Sequence, residues 1–236
     1  MPQVNASTEL WVRVLVYLVA RLTRNRATRD LVPVVKPALD ALEAAAAAAD
    51  RSERGLIEAR AHRDGADDDL DEAVTAFEGE LLLFVGKKRG ASPYKKCFPK
   101  GLVAVTGARI PDEIRLVKTL EGTVARELKD EDFAKRLLPR IAAAREEMER
   151  QVPLLTGAIE GFAGAWSVEL AARHDLRRQY RIVFAELVKL FPENMRKVNS
   201  FFRDVGSARK GAGAKEAGEE AEVAGGGSAR EDGPAG

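Results

Sequence analysis

The chain has 236 residues with 38 basic and 37 acidic side chains, so its net charge of +1 indicates no partner class by itself. The composition is 45% hydrophobic, 6% aromatic and rich in alanine and charge, which favours long helices over sheets. The single cysteine, Cys97, excludes an intrachain disulfide and favours a reducing compartment. Arg13 and Arg21 interrupt the apolar stretch 10–22, so we expect neither a signal peptide nor a membrane span, and a cytoplasmic location.

The first predicted helix covers residues 8–29. Ser7 or Thr8 can cap its N-terminus, and Leu10, Val14 and Leu18 mark one apolar face. Four arginines follow in its second half, where positive charge suits the helix dipole.

The second predicted helix covers residues 33–86 and carries a long heptad stripe. Proline is tolerated in a first turn, so Pro33 fits this start. Spacing that alternates between three and four residues keeps the stripe on one side of a helix. In the first half, large stripe residues alternate with alanines, which predicts a close approach by a partner helix. The stripe is Val35, Leu42, Ala49, Leu56, Arg63, Leu70, Phe77 and Phe84, with companions that include Ala38, Ala45, Ser52, Ala59, Ala66 and Ala73.

Residues 87–110 form a predicted irregular loop punctuated by glycine and proline. Within it, the run 102–106 is β-prone and reads as a short strand or extended segment. Further helices are predicted over 111–128, 133–190 and 192–204, because the sequence 111–113 is a typical helix start and a second stripe follows. That stripe is Ile141, Met148, Leu155, Phe162, Glu169, Leu176, Val183 and Leu190, with companions that include Leu138, Val152, Ile159, Trp166, Tyr180 and Leu187.

These patterns predict an all-α fold: an elongated helical bundle built on a long antiparallel coiled-coil hairpin, as a single domain over residues 1–206. Residues 207–236 contain no Leu, Ile, Phe, Tyr, Trp or Met. Such a segment buries too little apolar surface to offset its ordering entropy, so it is predicted to be a disordered tail.

The strongest candidate for a functional surface is the stretch 87–100, which carries six cations and no acid. Lysines neutralise phosphates, and exposed aromatic rings stack on bases or enter a lipid interface. The alternative is a solvated connector that two aromatic side chains pin onto the bundle. The candidate anion or partner contacts are Lys87, Lys88, Arg89, Tyr94, Lys95, Lys96, Phe98 and Lys100.

Other patterns do not match a catalytic, cofactor or metal site. The acidic block 64–72 lacks the calcium-loop glycine, because its sixth position is Asp69. His62 and His174 lack the glutamate three residues earlier that di-metal bundles use. Cys97 has basic neighbours that can lower its pKa, but a buried thiol is the preferred interpretation. No nucleotide-binding or nucleophile-elbow motif is present, so no catalytic residue, cofactor or metal is predicted.

The first functional hypothesis is therefore a non-catalytic helical interaction or structural protein, with a protein partner or self-association. The second is binding of nucleic acid or an anionic surface through the stretch 87–100. The third is a membrane-active helical protein that uses the apolar residues 10–22 or 81–85. An enzyme is not favoured, and no small-molecule substrate is inferred.

Overall fold

The computed structural model describes residues 7–202, and this part of the chain contains helices and no strand. The α-helices are α1 (Thr8–Arg24), α2 (Val32–Phe84), α3 (Ser92–Cys97), α4 (Val103–Thr106), α5 (Ile110–Glu127), α6 (Asp132–Leu190) and α7 (Met195–Asn199), and a 3₁₀ helix covers Arg26–Leu31. The all-α prediction is confirmed. The predicted tail, 207–236, lies outside the described residues.

Two helices of 53 and 59 residues, α2 and α6, provide most of the structure. Their bounds agree closely with the predicted 33–86 and 133–190. The helix α6 continues through Pro139 and Pro153 although each proline removes one intrahelical hydrogen bond. The two helices run antiparallel, because Glu72 pairs with Arg140 at 2.6 Å while Glu80, further along α2, pairs with the earlier Arg136 at 2.9 Å.

The contacts group the described residues into two compact units, of which the first contains residues 7–44 and 170–202. Here α1 packs with the start of α2 and the end of α6. Trp11 meets Tyr180 edge to face, with ring centroids 5.9 Å apart. The fully buried core includes Leu15, Leu18, Leu22, Val35, Leu42, Leu176, Val183 and Leu187. Most of the apolar face of α1, one of the two surfaces that the membrane hypothesis uses, therefore lies inside this core.

The second unit spans Ala45–Glu169. Its core lies between the last turns of α2, the helix α5 and the first turns of α6, and it includes Leu70, Phe77, Leu81, Val117, Val124, Ile141 and Met148. The helices α3 and α4 add Tyr94, Cys97 and Val105 to the same core. The prediction of one domain over 1–206 stays a prediction.

The structure corrects two helix bounds and the assignment of one extended segment. The first helix ends at Arg24 instead of residue 29, because Asn25 is extended and its side chain caps the following 3₁₀ helix at Ala27. The β-prone run forms the helical turn α4, in which Val105 is buried against the core; packing outweighs the strand preference of valine. The last helix starts at Met195 instead of 192, because the Asn194 side chain accepts from Lys197 N at 2.9 Å.

Residues 87–110 were predicted to be irregular, and the structure places two short helices there, α3 and α4. Ser-Pro at residues 92–93 gives α3 its start, since proline suits the first helical turn. Among residues 7–202, no helix combines the length and the apolarity that crossing a bilayer requires.

Replacing Leu42 by Asp places an unpaired carboxylate in the first core, where the native side chain is fully buried. We expect the free energy of unfolding to fall by roughly 4 kcal/mol or more. Ile57→Asp is the matched control, since Ile57 lies on the same helix but is exposed, and it is expected to cost less than about 1 kcal/mol. Urea denaturation of the three proteins measures both values, and equal losses contradict the core assignment.

Candidate anion-binding loop

The basic loop, residues 87–100, begins where α2 ends in a left-handed turn. Gly86 and Lys87 have φ angles of 60° and 62°. Lys87 N donates to Leu82 O at 2.6 Å and Gly86 N donates to Leu83 O at 3.1 Å, the hydrogen-bond pattern of a Schellman motif. Lysine in this backbone region costs about 1 kcal/mol relative to glycine, so the turn is held by these bonds and by the packing beyond it.

The cations of the basic loop divide into two groups. Lys96 pairs with Glu127 on α5 at 2.6 Å, and the Arg89 guanidinium lies 3.5 Å from Glu78. The other four ammonium groups are exposed and have no acidic partner within ion-pair distance among residues 7–202; they are Lys87, Lys88, Lys95 and Lys100. Four unneutralised cations within 14 residues form a positive surface on unit two.

Tyr94 and Phe98 are buried, so the structure does not offer their rings to bases or lipids. Their centroids lie 5.6 Å apart, and Phe98 also packs 6.3 Å from Phe77 on α2. The two rings therefore fasten the basic loop to the core, as the connector interpretation expects. Their burial depends on contacts with α2, which local sequence patterns do not show.

A buried polar contact reinforces this attachment. Glu78 is almost fully buried on α2, and its carboxylate accepts from the Tyr94 hydroxyl at 2.7 Å and from Arg89 at 3.5 Å. Burial and the neighbouring Glu78 carboxylate raise the pKa of Tyr94. The tyrosine therefore remains a hydrogen-bond donor at neutral pH, and Glu78 retains the partner that its burial requires.

A groove of about 390 Å³ lies on the loop. Arg89, Lys95 and Lys100 line it together with edges of Tyr94 and Phe98, and no acidic side chain borders it. Gly101, with a φ of 86°, turns the chain at its rim. The arrangement combines three cations with an apolar floor, which suits an anionic group of small size.

The remaining candidates lie apart from this groove. His62 and His174 are exposed, and no group of three metal-ligating side chains occurs among the described residues. The acidic block on α2 is only partly a solvated face, because Asp67 and Asp71 turn one oxygen each toward the interior. Sequence analysis missed their partner, Glu113 of α5, which is buried.

A second buried charge, Arg145 on α6, was also missed. Its guanidinium binds Glu121 of α5 at 2.7 Å and Glu149 at 2.9 Å. The hydrogen bond to Glu121 is the main reason that the Arg145 pKa is raised. Lys118 extends this network through a 2.5 Å pair with Glu149, which fixes α5 against α6 by charge as well as by apolar contact.

Comparisons with models of protein families, with curated proteins and with solved structures found no match. The functional interpretation therefore depends on the residues of this chain.

Cys97 is expected to be unreactive toward alkylating agents in the folded protein. Burial, with a smaller contribution from the negative charge of Glu127, raises the pKa of the Cys97 thiol to about 11. Since the thiolate is the nucleophile, iodoacetamide labelling at pH 7.5 should be slow, and unfolding in urea should restore the rate of a free thiol. Mass spectrometry of the labelled protein measures both rates, and rapid labelling of the folded protein contradicts the buried position.

Proposed function

We propose that this is a non-catalytic helical interaction protein that self-associates through the middle of α6. The observation that carries the proposal is a gap in the burial of the α6 heptad stripe. Stripe residues at one end, Ile141 and Met148, are fully buried in unit two. In the continuation of the stripe, Ile159 is 46% exposed and Trp166 is 43% exposed.

The gap has a simple steric cause. Over residues 45–59 the stripe of α2 is built mostly of alanine, with Ser52 and Leu56, and these small side chains do not cover the large ones of α6. The helix α5 pairs with α6 only as far as Glu149. Beyond that level, within unit two, residues 45–63 and 152–169 form a two-helix segment without the third helix that an apolar stripe of this width requires.

A further row of α6 residues in this segment also faces open space. Leu154 is 56% exposed and Val168 is 60% exposed. Gly157 and Gly164 lie between them and a Cβ at either would meet no neighbouring atom, whereas one at Gly161 would lie 3.7 Å from Ser52 Oγ of α2. With Ile159 and Trp166, four large apolar side chains are thus exposed within 15 residues of one helix, which indicates a contact surface rather than scattered surface residues.

A second copy of this chain is the occupant that the charges favour. Residues 152–168 contain one charged side chain, Glu160, so the covering helix must itself be apolar and weakly charged. The same segment of another copy has this character, and a two-fold axis brings it there. On α2 the flanking residues 45–63 carry three acids against four bases, close to balance, so two copies repel each other little; these residues are Asp50, Arg51, Glu53, Arg54, Glu58, Arg60 and Arg63.

We expect the double variant Ile159→Glu, Trp166→Glu to bind its own copy at least about tenfold more weakly than the parent, a loss of roughly 1.4 kcal/mol. Each glutamate introduces charge into an interface that is apolar in the parent. Sedimentation equilibrium measures the dimer dissociation constant.

The matched control is Val16→Glu, Val103→Glu, which places two glutamates at exposed apolar positions on α1 and α4. This control should retain the parental dissociation constant. A parent that is monomeric at roughly 100 μM, or equal weakening in both double variants, contradicts the proposal.

The groove of the basic loop supports a second candidate function, binding of an anionic macromolecule such as nucleic acid. It is supported by the four exposed ammonium groups without an acidic partner in the described chain and by the absence of acids from the groove lining. Phosphate contacts by lysine release condensed counterions, so such binding weakens steeply with salt.

For this candidate we expect single-stranded RNA to bind more weakly by at least about tenfold between roughly 50 and 200 mM salt. Changing Lys87, Lys88, Lys95 and Lys100 to Glu should abolish the binding. Changing four other exposed lysines to Glu, namely Lys36, Lys129, Lys135 and Lys189, is the control for net charge and should have a small effect. Fluorescence anisotropy measures the affinities, and equal losses in both variants show that net charge and not the loop is responsible.

A further inference from the structure

Glu113 is an acidic side chain in the core of unit two. It lies in the first turn of α5, is 2% exposed, and belongs to the face of α5 that also buries Val117, Leu120 and Val124. Glutamate in a first turn is normally an exposed complement to the helix dipole. A buried glutamate instead requires hydrogen-bond partners or the loss of its charge.

The partners of Glu113 are two further carboxyl groups on α2. Its carboxyl lies within hydrogen-bonding reach of Asp71 and Asp67, which are one helical turn apart. Three buried oxygens meet there without a donor from the described residues: Glu113 Oε1, Asp71 Oδ1 and Asp67 Oδ1. Three carboxylates in one buried contact repel one another, and each lacks a donor that its burial demands.

The cations of the surrounding elements do not resolve this contact. On α2, Arg63 lies one turn before Asp67 but pairs with Asp64 at 2.8 Å. On α5, Arg115 pairs with Asp112, also at 2.8 Å. Lys118, one turn further along α5, pairs with Glu149 of α6. The remaining charged neighbours by sequence position are acidic on α2, where Glu72 pairs with Arg140 of α6, and basic only at Arg109, four residues before Glu113; the acids of α2 are Asp68, Asp69 and Glu72.

We propose that a single proton carried by Glu113 joins α5 to α2, with the protonated carboxyl donating to an aspartate oxygen, and that loss of this proton above neutral pH releases the first turn of α5. One O–H donor on Glu113 supplies a hydrogen bond to one of the two aspartate oxygens and removes one of three like charges. This inference does not depend on the proposed self-association.

The direction of the pH dependence follows from the shift. Burial, together with Asp71 and Asp67, raises the pKa of Glu113 from 4.5 to about 8, and burial also raises that of Asp71. Between these two pH values the folded state holds a proton that the unfolded chain has released. The contribution of this proton to the free energy of unfolding is therefore fully present below pH 4.5, falls as the pH rises, and is lost as the pH passes about 8.

Thermal unfolding of the full chain at a series of pH values tests this proton-dependent contact between α5 and α2. Between roughly pH 6 and 9 we expect the parental melting temperature to fall by about 5 °C or more. Glu113→Gln keeps an N–H donor toward Asp71 but has no proton to lose, so its melting temperature should change by less than about 2 °C. Asp112→Asn, at the exposed neighbouring position, should retain the parental decline.

A second measurement applies to the parent itself, in case Glu113→Gln folds poorly. A carboxyl ¹³C titration should place the midpoint of Glu113 near pH 8 and show the amides of residues 110–117 shifting with the same midpoint. A midpoint in the ordinary glutamate range near 4.3 overturns the proposal. A parental decline that Glu113→Gln retains in full overturns it as well.

Discussion

The structure depends on how the apolar stripes of α2 and α6 are covered. Each stripe is wider than the other helix can bury, so a third helix is needed wherever large side chains are to leave water. In the first unit α1 supplies that helix, and in the second unit α5 does. Between residues 152 and 169 the alanine-rich part of α2 faces Phe162 and Trp166, and among the described residues of unit two no third helix covers them. The contact surface that we propose is a consequence of this missing cover.

Polar side chains inside the second unit determine how the shorter elements attach to the long ones. Glu78 holds the basic loop through Tyr94, and Arg145 holds α5 through Glu121. Both contacts pair opposite charge or supply a donor, so each buried group is satisfied. Glu113 differs, because its neighbours are acids and a proton must take the place of a cation. The contact of Glu113 with α2 is therefore the pH-sensitive attachment of α5.

Heptad spacing predicts both long helices to within two residues at each end, since a stripe sustained over several turns is the strongest local signal. The fold class follows from the same pattern. The position of Tyr94 could not be predicted in this way, because its burial requires a carboxylate on α2 that is distant in sequence. The burial of Glu113 could have been predicted from its spacing, because it stands four residues before Val117 on the apolar face of α5. Which stripe residues remain exposed depends on where α5 ends, and spacing alone does not contain that information.

We propose that the stripe of α6 stays partly uncovered over residues 152–169 until a second copy packs on it. Hydrogen–deuterium exchange at several protein concentrations tests this proposal, because local protection reports how much apolar contact holds a segment closed. We expect that protection of residues 152–169 increases with protein concentration while that of residues 134–148, already covered by α5, stays constant. Protection of 152–169 that is independent of concentration, or that equals that of 134–148 in dilute solution, contradicts it.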